Sequence, residues 1–226
     1  MPKTQPTIPS ALAADLERFD HVLGLDEAGL GAWAGPAVVC AAVLRKGEAI
    51  PGVTDSKKMS AKAREKVYPR LVREVTHKVV EVGPEVIDKV GLSEAWRIAN
   101  ETAMAGALEV HKKLNPDDDP LAIVDGNKPI KGAVCLPKAD LLIPAVSVAS
   151  VIAKVYRDAV MHRMHQQYPH WGFRSNVGYG TRNHQVALAE HGVCDIHRMS
   201  YQPMKDMVKK QDEPSLEDLL ESLDNI

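Results

Sequence analysis

Short apolar runs alternate along this chain with longer stretches in which apolar residues recur every three or four positions. The short runs, bounded by Gly and Pro, predict β-strands, and the longer stretches predict α-helices. Strands are predicted at residues 22–27, 37–44, 78–82, 121–124 and 133–136. Helices are predicted at residues 11–19, 60–74, 93–113, 146–168, 183–192 and 205–226. This order predicts a mixed sheet flanked by helices, which is an α/β architecture.

Polar residues at the ends of these segments predict where the helices begin. Ser60, Ser93 and Asn183 are predicted N-caps, because their side chains can accept hydrogen bonds from the first free backbone N–H groups. Pro69 lies inside the second helical stretch and is expected to kink it or to divide it after Tyr68. A tight turn is expected between the first two strands, where three glycines and a proline follow the first strand.

Composition indicates an ordinary soluble protein. The chain has 226 residues, 45% of them hydrophobic and 26% charged, which is enough for one good core. Apolar runs stay below the ~18 residues of a membrane span, and residues 1–10 lack an apolar signal core, so a cytoplasmic location without membrane contact is expected. The three cysteines are expected to be reduced thiols.

Charge is unevenly distributed, although the formal net charge is only −2. Residues 212–226 contain six acids and no Lys or Arg, so the rest of the chain has 28 bases against 24 acids, or +4. Residues 154–210 alone have nine Lys or Arg and four Asp or Glu, or +5. This predicts a modestly basic face, compatible with a phosphate-bearing ligand, and an acidic tail.

Acids stand at the ends of three predicted strands: Asp26 with Glu27, then Asp125, then Asp140. Ligands gather at the carboxyl ends of strands in open α/β sheets, and carboxylates that converge there need a cation between them. Oxygen ligands favour Mg²⁺ or Mn²⁺ over zinc. Neighbours on a strand point to opposite faces, so Glu27 can join Asp26 only if the strand ends or twists there. Scattered surface acids are the equally good alternative on this evidence.

Several motifs, taken together, are specific. They are GLDEAG at 24–29 with Gly31 and Gly35-Pro36, DSKK at 55–58, VDG at 124–126, KAD at 138–140, SVASVIAKVYRD at 147–158, GYGT at 178–181 with His184, and IHRMSY at 196–201. In this order, over roughly residues 20–204, they resemble the ribonuclease HII family. The resemblance implies a ribonuclease H-like mixed sheet flanked by helices, with a C-terminal helical appendage.

The resemblance also implies a metal-dependent endoribonuclease. Such an enzyme hydrolyses the RNA strand of RNA–DNA hybrids and cuts 5′ of ribonucleotides embedded in duplex DNA, leaving 3′-hydroxyl and 5′-phosphate ends. Asp26, Glu27, Asp125 and Asp140 match the family's catalytic, metal-binding acids. They are expected to hold two ions, Mg²⁺ or Mn²⁺, in the active complex.

Substrate contacts follow from the same resemblance. Gly29, Leu30 and Gly31 match the turn that grips the ribonucleotide, and Tyr179 matches a tyrosine that packs against the sugar on the DNA side of the junction. Lys57 matches a lysine near the scissile phosphate. Further candidates for phosphate contacts are Ser150, Lys154, Arg157, Arg182 and His184.

Two positions and one cluster need separate interpretation. Leu30 stands where the family has arginine, so weaker binding or an altered junction preference is expected, with cleavage retained. Asp158 has a role beside the metal ligands or simply pairs with Lys154 one helical turn away. The spacing of His191, Cys194 and His197 could suggest zinc, but it lacks a clear fourth ligand, so a structural role is favoured.

The domain organisation follows from these assignments. Residues 1–20 are predicted to be an N-terminal extension with a short helix, residues 21–204 the catalytic domain, and residues 205–226 an acidic helical tail. A monomer is expected, and the tail is a candidate docking segment for a replication or repair protein. The alternatives are a ribonuclease HIII-like hybrid nuclease, or a hybrid-binding protein whose catalysis Leu30 has weakened.

Overall fold

The computed structural model of the protein describes residues 6–53 and 58–212. Its five strands form one sheet in the order β3-β2-β1-β4-β5. They are β1 His21–Ala28, β2 Ala37–Arg45, β3 Thr76–Val82, β4 Leu121–Asp125 and β5 Val134–Leu136. The pairs β1–β2 and β2–β3 are antiparallel, and β1–β4 and β4–β5 are parallel. The predicted mixed sheet is confirmed.

The helices are α1 Ser10–Glu17, α2 Ala61–Glu74, α3 Pro84–Val90, α4 Leu92–Leu114, α5 Pro144–Gln167, α6 Phe173–Asn176, α7 Arg182–His191 and α8 Gln202–Asp212. Two short 3₁₀ turns lie at Ala139–Leu141 and Pro169–Trp171. Within the described ranges no helix is both long enough and apolar enough to cross a bilayer.

The sheet separates two apolar cores, because successive strand residues point to opposite faces. Val22 of β1 packs on the α5 side, together with Ile152 of that helix. Leu23 and Leu25 of β1 pack on the other side, against Ala99 of α4. Helix α5 approaches β1 so closely that a Cβ on Gly24 would lie 2.2 Å from the Val146 backbone nitrogen. This close approach places the first turn of α5 directly over the strand that carries Asp26.

Several predictions about where helices begin or divide were wrong. Helix α2 is continuous through Pro69 and is not divided there. Helix α4 begins at Leu92 after Gly91, so Ser93 lies inside it, and Thr181 rather than Asn183 caps α7 by accepting from the His184 backbone N–H. Ser60 does cap α2, since its hydroxyl accepts from the Ala63 N–H at 3.2 Å.

The connection between β1 and β2 also differs from the prediction. Strand β1 runs on through Asp26 and Glu27 to Ala28, where it pairs with Val38 of β2. The intervening residues 29–36 form an irregular loop rather than a tight turn, and we call them the glycine turn because Gly29 and Gly35 have positive φ. The helix predicted at residues 205–226 corresponds to α8, which is described from Gln202 to Asp212. Residues 213–226 lie outside the described part.

Candidate active site

Two parallel strands bring the first acids together. Leu25 of β1 pairs with Val124 of β4, so Asp26 and Asp125 are the next residues along neighbouring strands. Strand β4 ends at Asp125, whereas β1 continues with only β2 as its partner. Beyond this point, β1 therefore has no neighbour on its β4 side among the described strands. A cleft of about 330 Å³ opens beside this part of β1, and Asp26, Glu27 and Asp125 all line it.

Asp26 lies at the base of this cleft, only 4% exposed, on the face covered by α5. Burial raises the pKa of the Asp26 carboxyl to about 8, helped by the negative charges of Glu27 and Asp125 and opposed by a hydrogen bond with Ser150 of α5. The Glu27 backbone N–H donates to its Oδ1 at 2.8 Å. A buried carboxyl crowded by two other acids is an environment that a bound cation would relieve.

Glu27 points to the opposite face of the sheet from Asp26, as strand geometry requires. There the indole Nε1–H of Trp96, on α4, donates to Glu27 Oε2 at 3.0 Å. Both acids still reach one cleft because β4 has ended, which leaves the edge of β1 open to both faces. Of the two expected routes, an end or a twist of the strand at Glu27, the end is not observed, because β1 continues to Ala28.

Asp140 arrives through a short connection from β5. The backbone N–H of Ala139 donates to Asp125 Oδ1 at 2.7 Å, which ties the 3₁₀ turn carrying Asp140 to the end of β4. The turn is held from α5 as well, since the Ser147 hydroxyl donates to the Asp140 carbonyl at 2.6 Å. Asp140 is 1% exposed and lies behind the cleft wall rather than among its lining residues.

The acids suit a hard divalent cation by their chemistry, because they offer carboxylate oxygens without a cysteine or histidine ligand. Among the described residues, the four acids are not one of the groups of three whose ligand atoms already stand together for a metal ion. The negative charges of Glu27 and Asp125 help to raise the pKa of Asp26, and a cation would offset that repulsion. The donor set and the raised pKa of Asp26 therefore fit Mg²⁺ or Mn²⁺.

The glycine turn forms another wall of the cleft through Gly29, Leu30 and Gly31. Gly29 has φ +87°, and a Cβ there would fall 1.8 Å from Arg157 Nε. Gly31 is exposed, and no heavy atom would come within 4 Å of a Cβ added to it. Packing against Arg157 therefore requires glycine at position 29. At position 31 packing does not require glycine, and the absence of a side chain there leaves open space at the cleft.

A comparison with known proteins identifies the family. A sequence model described as Ribonuclease HII matches residues 23–204. Ribonuclease HII from Hyphomonas neptunium is 36% identical over 207 residues, which cover 86% of this chain and 99% of that protein. The chain belongs to the ribonuclease HII family. It is accordingly a metal-dependent endoribonuclease that acts on the RNA strand.

Solved structures agree with this assignment. The ribonuclease H2 of Pyrococcus horikoshii superposes with a TM-score of 0.67 at 24% identity, covering 86% of this chain and all of that one, and shows the shared fold. The ribonuclease HII of Archaeoglobus fulgidus, solved as a complex with PCNA, gives a TM-score of 0.60 at 26% identity over 87% of this chain and 98% of that one.

In this ribonuclease HII chain, Arg157 contacts the protein's own backbone. Its side chain is fully buried, and its guanidinium donates to three backbone carbonyls. The acceptors are Pro36 at 2.9 Å, Val177 at 2.8 Å and Ala34 at 3.3 Å. Arg157 thus fixes the glycine turn from within, and its predicted phosphate contact would require the buried guanidinium to become accessible.

Arg198 was missed as a positioning residue although it lies in the HRMSY motif. It is also fully buried, and it donates to the Gly35 carbonyl at 3.0 Å and the Leu30 carbonyl at 2.8 Å. The Tyr201 hydroxyl donates to the same Leu30 carbonyl. The Leu30 side chain packs beside the α4-side core instead of reaching outwards. The backbone of the turn is thus held firmly while a cationic side chain is absent at position 30.

Tyr179 reaches the cleft from the loop between α6 and α7. Its ring lies 5.7 Å from the Lys154 ammonium, and Lys154 pairs with Asp158 at 2.8 Å. Lys154 lines the cleft, but Asp158 does not, which favours the helical-pair interpretation of Asp158. The loop packs on the glycine turn: the Trp33 N–H donates to the Gly178 carbonyl at 2.8 Å.

His184 and His197 support this loop instead of binding phosphate or zinc. Both are buried, and burial lowers the pKa of each imidazole, that of His197 to about 4. The Cys194 N–H donates to His197 Nδ1 at 2.9 Å, so the His197 Nε2–H donates to His184 Nε2 at 3.0 Å. His184 Nδ1–H then donates to the Tyr179 carbonyl at 3.0 Å. His191 lies apart, beside His170.

The remaining candidates divide into three groups. Ser150 and Lys154 line the cleft and keep their predicted roles as candidates. Arg182 is exposed at the start of α7, outside the cleft lining, and Lys57 lies outside the described residues. Arg64 of α2 also lines the cleft. Sequence reasoning missed it, because a single arginine on a polar helix face carries no local signal. Trp96 was missed as well, because it looks like an ordinary core residue.

Proposed function

We propose that this ribonuclease hydrolyses the RNA strand of RNA–DNA hybrids and also cuts 5′ of single ribonucleotides in duplex DNA, using two divalent ions. The observation that carries the proposal is the convergence of Asp26, Glu27 and Asp125 on one cleft, with Asp140 tied to Asp125 through Ala139. The products would carry 3′-hydroxyl and 5′-phosphate ends, since water attacks phosphorus and the ribose 3′-oxygen leaves.

The four acids would hold the ions, Mg²⁺ or Mn²⁺, with Asp26 as the central ligand. When bound, such ions lower the pKa of a water and stabilise a departing oxygen. The chain's own residues orient the acids. Ser150 hydrogen-bonds Asp26 from one face of the sheet, and Trp96 hydrogen-bonds Glu27 from the other. Lys154 and Arg64 add positive charge to the cleft, where a phosphate backbone would lie.

Recognition of the ribonucleotide is assigned to the glycine turn and Tyr179. Distinguishing RNA from DNA requires contact with a 2′-hydroxyl, and only an exposed backbone without side chains allows a sugar to approach closely. The open space at Gly31 and the rigid backbone around Leu30 suit that contact. Tyr179 stands across the cleft, where its ring can pack against the neighbouring deoxyribose.

The test is a cleavage assay on an RNA–DNA hybrid and on a DNA duplex that contains one ribonucleotide, in Mg²⁺ and in Mn²⁺. The wild type is expected to cut both, and Asp26→Asn is expected to cut neither while remaining folded. Asp119→Asn, which changes an exposed acid remote from the cleft, is the matched control and should cut normally. Binding of both substrates without cleavage by the wild type would favour a hybrid-binding protein instead.

A docking role is also proposed for the acidic C-terminal tail, residues 205–226. The relative from Archaeoglobus fulgidus was solved with PCNA, and residues 212–226 of this tail contain six acids and no Lys or Arg. Removal of residues 213–226 should leave hybrid cleavage unchanged and abolish binding to a protein of the PCNA type. Unchanged binding to that protein would contradict the docking role.

A further inference from the structure

A second group of possible metal ligands lies far from the catalytic cleft. Among the residues that the structure describes, His21, His111 and Asp118 are the one group of three side chains placed to hold a metal ion, and their ligand atoms all lie within 4.8 Å of one another. His21 is the first residue of β1, His111 lies in the last turn of α4, and Asp118 lies in the loop that enters β4. Asp26 is five residues further along β1, about 16 Å away at the strand rise.

The distances in this group approach those of a zinc site. Asp118 Oδ2 lies 3.0 Å from His21 Nδ1 and 2.6 Å from His111 Nε2. In four-coordinate zinc with bonds of ~2.0–2.1 Å, ligand atoms stand about 3.3 Å apart. The carboxylate oxygen would need to withdraw from each nitrogen by less than about 1 Å, a change within reach of a side-chain rotation.

Hydrogen bonding within the group leaves one nitrogen unsatisfied. His21 Nδ1 is inaccessible to solvent and makes no aligned hydrogen bond in the described part of the chain, although Asp118 Oδ2 is close. The side chains of His111, His21 and Asp118 are 3%, 23% and 20% exposed, so the group is sheltered with one side open to solvent. The contact of this nitrogen with Asp118 is too poorly aligned to be a good hydrogen bond, and a metal bond would satisfy the nitrogen better.

The surroundings favour a cation at this place. His111 belongs to the last turn of α4, where the free carbonyl groups carry partial negative charge. The nearest lysine of that turn, Lys112, is already paired with Asp119 at 2.6 Å. Pro116 and Pro120 restrict the loop on either side of Asp118, which lowers the entropy cost of holding the carboxylate in place.

We propose that His21, His111 and Asp118 bind a divalent transition metal of the zinc class, with water as the fourth ligand. Imidazole ligands select zinc and its neighbours over magnesium, so this site is distinct in chemistry as well as in position from the catalytic acids. The ion joins the start of β1, the end of α4 and the loop into β4. Its role is to stabilise the fold at the end of the sheet where β1 begins, opposite the end that carries the cleft.

The experiment uses the full chain, stripped of metal and then saturated with Mg²⁺ so that the catalytic acids are occupied. Zn²⁺ is titrated against a chromophoric chelator, and Co²⁺ replaces it as a probe whose visible absorption reports four-coordinate nitrogen and oxygen ligation. One Zn²⁺ per chain is expected, and at 100 times the dissociation constant the melting temperature should rise by about 5 °C or more.

Two variants make the result specific. His21→Gln and Asp118→Asn keep side-chain size and polarity, and each should lose the Co²⁺ absorption and the thermal shift while cutting hybrids normally in Mg²⁺. His77→Gln is the matched control, because His77 is also a half-buried strand histidine, but its Nδ1 faces the Val75 carbonyl at 2.8 Å. Absence of Zn²⁺ binding by the wild type, or equal binding by all the variants, would overturn the proposal.

Discussion

The hydrogen bond from Trp96 to Glu27 offers a sharp test of how the fold positions its acids. Trp96 is 5% exposed on α4, and its Nε1–H donates to Glu27 Oε2 at 3.0 Å. Trp96→Phe keeps an aromatic side chain in the core but removes this donor. The Glu27 carboxylate then loses one hydrogen bond that orients it towards the cleft, so assembly of the metal site becomes less favourable.

The size of the effect follows from the chemistry of the bond. A hydrogen bond to a charged group contributes about 1.5–3 kcal/mol, and we take the lower end because Glu27 is only half-buried. About 1.4 kcal/mol corresponds to roughly a factor of ten in an equilibrium constant. The Mg²⁺ concentration that gives the half-maximal rate should therefore rise about tenfold in Trp96→Phe, with a smaller change in the rate at saturating Mg²⁺.

The assay is single-turnover cleavage of a hybrid over a range of Mg²⁺ concentrations. Trp171→Phe is the matched control: Trp171 also donates one indole hydrogen bond, to the Gly192 carbonyl at 2.8 Å, but lies outside the cleft lining. Both variants should lose comparable stability, and only Trp96→Phe should shift the Mg²⁺ dependence. An unchanged midpoint in Trp96→Phe, or equal shifts in both variants, would refute the positioning role.

The glycine turn yields three further predictions. Leu30→Arg should tighten binding to a duplex with a single ribonucleotide, because it adds a cation at the cleft wall; a titration without a gain would contradict this. Gly29→Ala should lower the melting temperature markedly, whereas Gly31→Ala should preserve it and reduce cleavage, as thermal melts and rate measurements on both variants would show. Arg157→Gln should act like Gly29→Ala, through stability; a rise in KM at unchanged melting temperature would restore its predicted substrate contact.

Local patterns in the sequence were sufficient for much of the fold. Short apolar runs bounded by Gly and Pro mark the central strands because β1 and β2 are buried on both faces, as Leu23 and Val22 show on opposite sides of β1. The same runs predicted that acids would gather at strand ends. The register that makes Asp26 and Asp125 neighbours depends on pairing between strand residues that are about a hundred positions apart, and only the structure supplies it.

Long-range contacts supply what local patterns cannot. The motif at 147–158 predicts a phosphate contact for Arg157, but its guanidinium donates to carbonyls 20 to more than 100 residues away. Trp96 looks like an ordinary core residue in its helix, and nothing near it in the sequence indicates a contact with Glu27. The sequence predicts that strand β1 ends or twists at Glu27, whereas β1 continues and the early end of β4 provides the opening.

Product mapping tests whether the acids at the strand ends carry out metal-dependent cleavage. A duplex with one ribonucleotide is incubated with the wild type, Asp26→Asn and Asp125→Asn in Mg²⁺ or Mn²⁺, and the ends of the fragments are identified. We expect a single cut 5′ of the ribonucleotide with 3′-hydroxyl and 5′-phosphate ends, lost in both variants and on chelation. Cleavage that survives in Asp26→Asn, or that persists after chelation, would show that these acids do not carry out the reaction.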